Sequence, residues 1–453
     1  MFDNIDIPIW IAVPVFILAG VALLDRLLVP SVRWYLRRRV NRVIDKLNAS
    51  LQLSIQPFKL TRRKVMIDRL THDPQVMEAV VEFARDERIP PELAHDHAER
   101  YAHEIVPSFS AMAYFGIGIR VSRFVSNALY RVRGGFADDE ALTKIDKDAT
   151  VIFVMNHRSN MDYVLVTFLA AQRSALSYAV GEWARVWPLQ QLIRSMGAYF
   201  IRRKSRNALY RKVLARYVQL ATEGGVTQAI FPEGGLSTDG RLGEPKLGLL
   251  SYIVGDFDPE AARDVVFIPV GLNYDRVLED RILTHSEETN RFRFNPFVFV
   301  GFVFKQMWLR VSGKFYRFGY ACVSFGLPLS LKSFRQTHPE NTTEALGDEL
   351  MSRIGAVIPV LPVSLVSHVL LAQDTPLSRL EIKSECHRLW QALAKRNIYG
   401  HIPRGDEDYA VDVGLRMLGS RHVITEHDGR FEISENQREL LSYYANAIAH
   451  FFA

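Results

Sequence analysis

Cysteine is nearly absent: only Cys322 and Cys386 occur in 453 residues, 64 positions apart. That excludes a disulfide framework and, with no C-x-x-C pair, a cysteine-built zinc site. Compositional bias is missing too. The chain is 48% hydrophobic, 23% charged and 11% aromatic, so disorder, collagen-like repeats and coiled coil are excluded as the main plan. No segment recurs at the roughly 20–50-residue period of solenoids and propellers. The length exceeds a single typical domain of roughly 100–200 residues, so two or three units are expected.

Acidic residues are scarce in one place. Residues 25–64 hold eleven Lys/Arg against Asp25 and Asp45, a local +9 in a chain whose net charge is +6. A basic chain can signal nucleic acid, but here the basicity is confined to one stretch. Ahead of it, Ile7–Leu24 runs 18 residues without a formal charge. As a helix it would span about 27 Å, close to a bilayer core of about 30 Å. Pro14 should kink it, and the acidic leader without Lys/Arg argues against a cleaved signal peptide. A membrane anchor over 1–30 is expected, with an interfacial helix or buried hairpin as alternatives. If the segment spans, the basic flank places the body on the cytoplasmic face of the cell membrane. Val32, Tyr35, Leu36, Val40, Val43 and Leu47 recur at helical spacing, as in a basic amphipathic helix on anionic headgroups.

The body reads in three parts. Residues 31–143 continue as a basic and helical region. Asp73-Pro74 opens a helix whose inner face is Val76, Val80 and Phe83. His95, His97 and His103 share the next helix, but His95 and His97 point about 200° apart, so a solvated face is expected and no metal site. Gly116-x-Gly118 lacks both a third glycine and a preceding strand, so it is no nucleotide loop. From 144 to 335 short apolar runs alternate with helical stretches. Strands are expected at Val151–Met155, Ser177–Val180, Ala198–Ile201, Thr227–Phe231 and Val265–Leu272, with helices at 161–171, 188–196, 206–222 and 246–254. That alternation predicts an α/β fold, a largely parallel sheet flanked by helices, with its site in loops beyond the carboxyl ends of strands. Pro269 would disfavour a central ladder position for the last of these strands. Residues 336–453 turn helical again and close with a small hairpin around Asp428-Gly429. The arrangement is winged-helix-like, but its helices lack a dense basic face, so packing or a partner is expected rather than DNA.

Three strand ends carry candidate chemistry. Val151–Met155 runs into Asn156-His157-Arg158-Ser159-Asn160-Met161-Asp162. Near a helix start, Asp162 gains from backbone N–H groups and the helix dipole. From there it can fix one tautomer of His157 and leave the other nitrogen as a base. With no serine or cysteine placed as nucleophile, the economical chemistry is direct: His157 deprotonates a hydroxyl, which attacks an activated acyl group. A capped loop with a satisfied histidine is the bland alternative. After the next strands come Arg202-Arg203-Lys204, which suit phosphate, and Glu233-Gly234-Gly235-Leu236-Ser237, followed by Arg241 and Lys246. Phe294–Phe304 holds five phenylalanines and no charge, too short for a helical span. It reads as a core element or an interfacial acyl-channel wall.

Four ordered blocks, NHRSNMD, GAYFIRR, FPEGGLS and VFIPVG, resemble those of the glycerolipid acyltransferases, most closely the glycerol-3-phosphate acyltransferase branch. The glycine-rich run to Gly248 and the terminal 440–449 segment resemble that branch as well. The resemblance implies His157 as general base and Asp162 as its orienter. It implies Arg202, Arg203, Glu233, Gly234, Arg241 and Lys246 at the acceptor or thioester. It implies acyl-CoA or acyl carrier protein as donor, a small phosphorylated acceptor, a membrane lipid surface as partner, and no metal, cofactor or nucleic acid. One departure stands out: the branch usually has arginines where this chain has Leu236 and Thr238, which bears on the acceptor's phosphate. The expected reaction is acylation of the sn-1 hydroxyl of glycerol-3-phosphate, the first step of phospholipid synthesis. The rivals are acylation of 1-acylglycerol-3-phosphate, thioester hydrolysis, and a non-catalytic membrane-associated module that binds a partner.

Overall fold

The computed structural model describes residues 55–452 apart from 137–138, 171–174, 182–188, 203–204, 206, 256, 261–262, 285–317 and 341. The expected anchor (1–30), the amphipathic basic stretch, Phe294–Phe304 and Arg203 lie outside the described residues. Among the described residues no helix is long and apolar enough to cross a membrane, and no group of His, Cys, Asp and Glu is spaced to hold a metal ion.

Residues 55–453 form one compact unit. It opens with helices α1 (Arg63–Thr71), α2 (Pro74–Glu87) and α3 (Pro91–Ile105). The Asp73 carboxylate caps α2 by accepting the Gln75 N–H at 3.0 Å, the role its place before Pro74 predicts. In α3 the inner face is Ala94, Ala98, Ala102 and Ile105, small residues that let neighbouring helices approach closely. Met112–Gly118 is π-helical and runs without a break into α4 (Ile119–Leu129). Gly116 and Gly118 are therefore helical and form no phosphate loop.

The sheet follows. Its strands are β1 (Arg131–Phe136), β2 (Thr150–Met155), β3 (Ser177–Val180), β4 (Tyr199–Phe200), β5 (Gln228–Ile230), β6 (Val265–Tyr274), β7 (Tyr320–Phe325) and β8 (Leu329–Ser330). Their order is β1-β7-β6-β2-β5-β3-β4, with β8 on β6. The five strands from β6 to β4 are mutually parallel, while β7 and β8 run antiparallel to β6. All residues of β2 and β6 are buried, as expected of a sheet covered on both faces. Helices α5 (Met161–Ala170), α6 (Leu189–Ser195), α7 (Ala208–Glu223) and α8 (Gly248–Val254) follow β2 to β5 in turn.

Pro269 corrects one expectation: β6 is central, not an edge. On one side Pro269 pairs with Val154 of β2. On the other, β8 pairs only Val266 and Phe267, and β7 begins at Val270. The missing N–H of Pro269 falls in that gap, and its carbonyl accepts from Gly326 at 2.8 Å. No ladder bond is lost.

After a short helix α9 (Asp280–Thr284) and strands β7 and β8 come α10 (Leu331–Thr337), α11 (Thr342–Ala356) and α12 (Pro362–Leu371). Strand β9 (Leu377–Ser378) leads to α13 (Arg379–Lys395) and α14 (Glu407–Gly419), then to the hairpin β10 (Ile424–His427) and β11 (Arg430–Ile433) and to α15 (Arg438–Asn446). A full capping box of Ser378 and Glu381 opens α13. Asp428 and Gly429 both take positive φ at the hairpin turn, as a two-residue turn requires. Helix α12 packs between α14 and α15, so this region serves as a packed layer whose last helix reaches the loops beyond β2 and β5.

Candidate active site

His157 leaves the carboxyl end of β2, and Asp162 sits in the first turn of α5. The ring Nδ1 lies 2.9 Å from the Asp162 Oδ2, and both side chains are 1% exposed or less. That oxygen also accepts the backbone N–H groups of Arg158 (2.8 Å) and Ser159 (3.0 Å). The other oxygen accepts the Tyr274 hydroxyl at 2.6 Å. Burial, and then the adjacent Asp162 charge, push the Tyr274 phenol well above its ordinary value, so it stays a donor. Four donors compensate one buried carboxylate, which is what burying an ion demands. The His157 ring stacks on Phe231, with centroids 4.1 Å apart. Its Nε2 makes no hydrogen bond to the described residues. The ring is thus fixed by an acid on one edge and an aromatic face beneath, with its second nitrogen free for proton transfer.

Two further carboxylates hold the loop by its backbone. Glu233 accepts the His157 N–H at 2.7 Å and the Gly243 N–H at 2.9 Å. Burial pushes its carboxyl up, opposed by those two N–H groups. Glu279 accepts the Ser159 hydroxyl at 2.7 Å and both the backbone and side-chain N–H of Asn160. The segment carrying Glu279 is anchored in turn. Arg421 reaches Asp280 at 2.5 Å, and the Tyr444 hydroxyl binds Asp280 while accepting the Val277 N–H. Residues more than 130 positions downstream therefore brace the loop at β2.

The expected cationic residues are seated on different neighbours. Arg202 forms a two-pronged pair with Glu104 of α3, at 2.6 and 2.9 Å, and packs over the Tyr101 and Tyr210 rings. The hydrogen-bonded Glu104 carboxylate pushes the Arg202 guanidinium further above its ordinary value. Arg241 is exposed, with only a 3.9 Å approach to Asp239. Lys246 donates its backbone N–H to Pro232 at 2.8 Å, and its methylene stem lies 2.8 Å from where a Cβ on Gly234 would stand. Gly234 takes φ +65° there, so the turn needs glycine for conformation and for space.

One cation was not singled out by the sequence. Arg158, next to His157, is 2% exposed. One guanidinium nitrogen donates to the Gly240 carbonyl, and the group lies 4.7 Å over the Tyr443 ring. Its Nε and Nη2 have no partner among the described residues, and no carboxylate pairs with it there. Sequence reading passed over it because spacing shows neither burial nor which cations are already paired. Gly240 must be glycine at this junction: φ is +85°, and a Cβ would fall 1.9 Å from the Tyr443 carbonyl oxygen.

With this geometry in place the class can be stated. Residues 138–273, from just before β2 to nearly the end of β6, match the acyltransferase family. Residues 307–453 match the C-terminal region of glycerol-3-phosphate acyltransferases. Both matches agree with the glycerol-3-phosphate branch of the glycerolipid acyltransferases that its sequence blocks resemble. It is 28% identical to the glycerol-3-phosphate acyltransferase of Aeromonas hydrophila over 427 residues, covering 89% of this chain and 51% of that protein. It is 27% identical to that of Pseudomonas aeruginosa over 447 residues, covering 92% and 52%. The chain thus spans about half the length of the curated relatives it matches. A solved 1-acyl-sn-glycerophosphate (LPA) acyltransferase from Thermotoga maritima is 17% identical, covering 65% of this chain and 98% of that one, with a TM-score of 0.32, too low a likeness to bear on the fold.

Proposed function

We propose that the chain transfers a fatty acyl group from a coenzyme A or acyl carrier protein thioester to the sn-1 hydroxyl of glycerol-3-phosphate, at the cytoplasmic surface of a membrane. The observation that carries this reading is the buried contact between His157 Nδ1 and Asp162. Asp162 holds the Nδ1–H tautomer, and Nε2 takes the proton of the acceptor hydroxyl as its oxygen attacks the thioester carbonyl. The tetrahedral intermediate collapses, the C–S bond breaks, and the imidazolium returns its proton to the leaving thiolate. No covalent acyl-enzyme is needed. The likeness to glycerol-3-phosphate acyltransferases favours glycerol-3-phosphate as acceptor.

A phosphorylated acceptor also needs a cation. Arg202 is committed to Glu104, and Leu236 and Thr238 stand where the branch usually has arginines. Arg158 supports the reading instead. It is a buried positive charge in the residue next to the base, whose Nε and Nη2 have no partner among the described residues, and a buried charge without a counter-ion is costly unless a ligand anion completes it.

The test presents the purified full chain with one acyl-CoA and either glycerol-3-phosphate or 1-acylglycerol-3-phosphate. The expected result is acylation of glycerol-3-phosphate with little acylation of the lysolipid. Acylation of the lysolipid alone, or fatty acid released at the same rate without acceptor, overturns the proposal.

A further inference from the structure

The continuous helix from Met112 to Leu129 is turned inside out relative to an ordinary surface helix. Its buried side is Tyr114, Gly118, Ile119, Ser122, Ser126 and Leu129, and the small Gly118, Ser122 and Ser126 let it lie close against α5. A Cβ on Gly118 would already stand 3.0 Å from the Met196 methyl group. Four large apolar side chains point outward. Met112 is 77% exposed and Phe124 67%, and Ile117 and Val121 are exposed as well. At 3.6 residues per turn Ile117, Val121 and Phe124 fall within about 60° of arc, with Arg120 next to them and Arg123 further round toward α5. Both arginines are exposed, and neither makes an ion pair among the described residues. The Arg123 guanidinium lies 5.7 Å over the Phe168 ring of α5. The segment 106–136 contains four arginines and no Asp or Glu. Leu192, on α6 beside the π-helical part, continues the apolar surface.

We propose that this face docks on an anionic lipid bilayer: the four apolar side chains enter the headgroup–acyl boundary while Arg120 and Arg123 meet lipid phosphates. The charge decides between occupants. A second copy of this face would set arginines against arginines with no acid to answer them, whereas an anionic leaflet complements both features. The placement is also apt. Helix α5, on which this helix lies, begins four residues after His157 and is only about 15 Å long. The face therefore lies on a helix that starts beside the candidate base. The proposal rests on the outward face alone and not on the catalytic assignment.

The experiment places a fluorescent label on the face of the full chain through Phe124→Cys; the native Cys322 and Cys386 are buried, so labelling is selective. A second variant, Leu380→Cys, marks an exposed apolar site on α13. With vesicles of equal parts phosphatidylglycerol and phosphatidylcholine, the label at 124 should shift to the blue and be quenched by brominated lipid, while the label at 380 stays aqueous. Arg120→Glu with Arg123→Glu should weaken the shift at least five-fold, as should high salt. A label at 124 that stays aqueous on vesicle-bound protein overturns the proposal. So does a blue shift before vesicles are added, which would mean a protein surface covers the face, and so does an undiminished shift in the double Arg→Glu variant. Acyl transfer with detergent-dispersed substrates should be unchanged in all of these variants. A loss there would implicate the catalytic reading and not the docking face.

Discussion

Asp162 and Arg202 both follow a strand of the same sheet, and both bear a charge that the sequence marks for function, yet they are spent differently. Asp162 is fully buried and takes three of its four donors from the loop it serves, the His157 ring and two backbone N–H groups, and the fourth from the Tyr274 hydroxyl of β6. Arg202 is 38% exposed and takes its partner, Glu104, from a helix nearly a hundred residues upstream. The first carboxylate builds a reactive geometry. The second cation ties the N-terminal helices to the sheet. The contrast teaches that a charge at a strand end becomes functional through what remains unpaired around it. By that criterion Nε2 of His157 and the Nε and Nη2 of Arg158 are the groups left without a partner among the described residues.

Among the groups that hold the base, Asp162→Asn should have the largest effect. An amide can keep its oxygen on the loop N–H groups and turn its NH2 toward Tyr274, so the shape survives while the charge goes. Acyl transfer should fall about 10²–10⁴-fold with little change in melting temperature. A loss under three-fold would reduce the contact to loop packing. Arg158→Met should raise the acceptor KM roughly 10–100-fold and leave the KM of the thioester nearly unchanged. Equal rises in both would deny Arg158 the phosphate. Glu279→Gln keeps one acceptor but removes the charge that collects three donors, and should cost about 10-fold in kcat. Unchanged kcat would make that brace dispensable. Arg202→Ala should lower stability by about 1 kcal/mol, as for a half-exposed ion pair, with less than a 10-fold change in acceptor KM. A KM rise of 100-fold at unchanged stability would return Arg202 to the acceptor and erase the contrast.

The smallest expected effect on activity comes from Lys59. Its Nζ donates to the Ala175 carbonyl at 2.5 Å and lies 4.7 Å over the Phe109 ring. Burial lowers its value from 10.5 to about 7. The folded state therefore binds fewer protons than the unfolded chain between those values, and stability rises with pH across that window. Below about pH 7 the buried cation is a full cost. Lys59→Met should accordingly stabilise the fold most near pH 6 and least near pH 10, read from denaturant midpoints. A gain independent of pH would show that packing, not charge, is responsible.

Much of the sheet was legible because parallel strands buried on both faces are short, largely apolar runs. β2, β3, β5 and β6 fall on the runs expected of them. β1 was not, since Arg-Val-Arg-Gly-Gly-Phe carries two charges and two glycines and pairs only with β7. At the site, the spacing of His157 and Asp162 was readable because both partners lie on one strand–turn–helix. The supporting groups were not. Tyr274, Glu279, Tyr443 and Arg421 come from 112 to 285 positions away along the chain, and no local pattern encodes those contacts. The same limit governs the cations: the sequence shows where arginines are, but only the structure shows that Glu104 already occupies Arg202.

The central claim is that one imidazole takes the acceptor's proton. Single-turnover acyl transfer to glycerol-3-phosphate by His157→Ala tests it most directly, with folding monitored by circular dichroism. The account predicts at least about a 10⁴-fold loss of rate with an intact fold. A folded His157→Ala protein that still transfers the acyl group within about 10-fold of the native rate would contradict it.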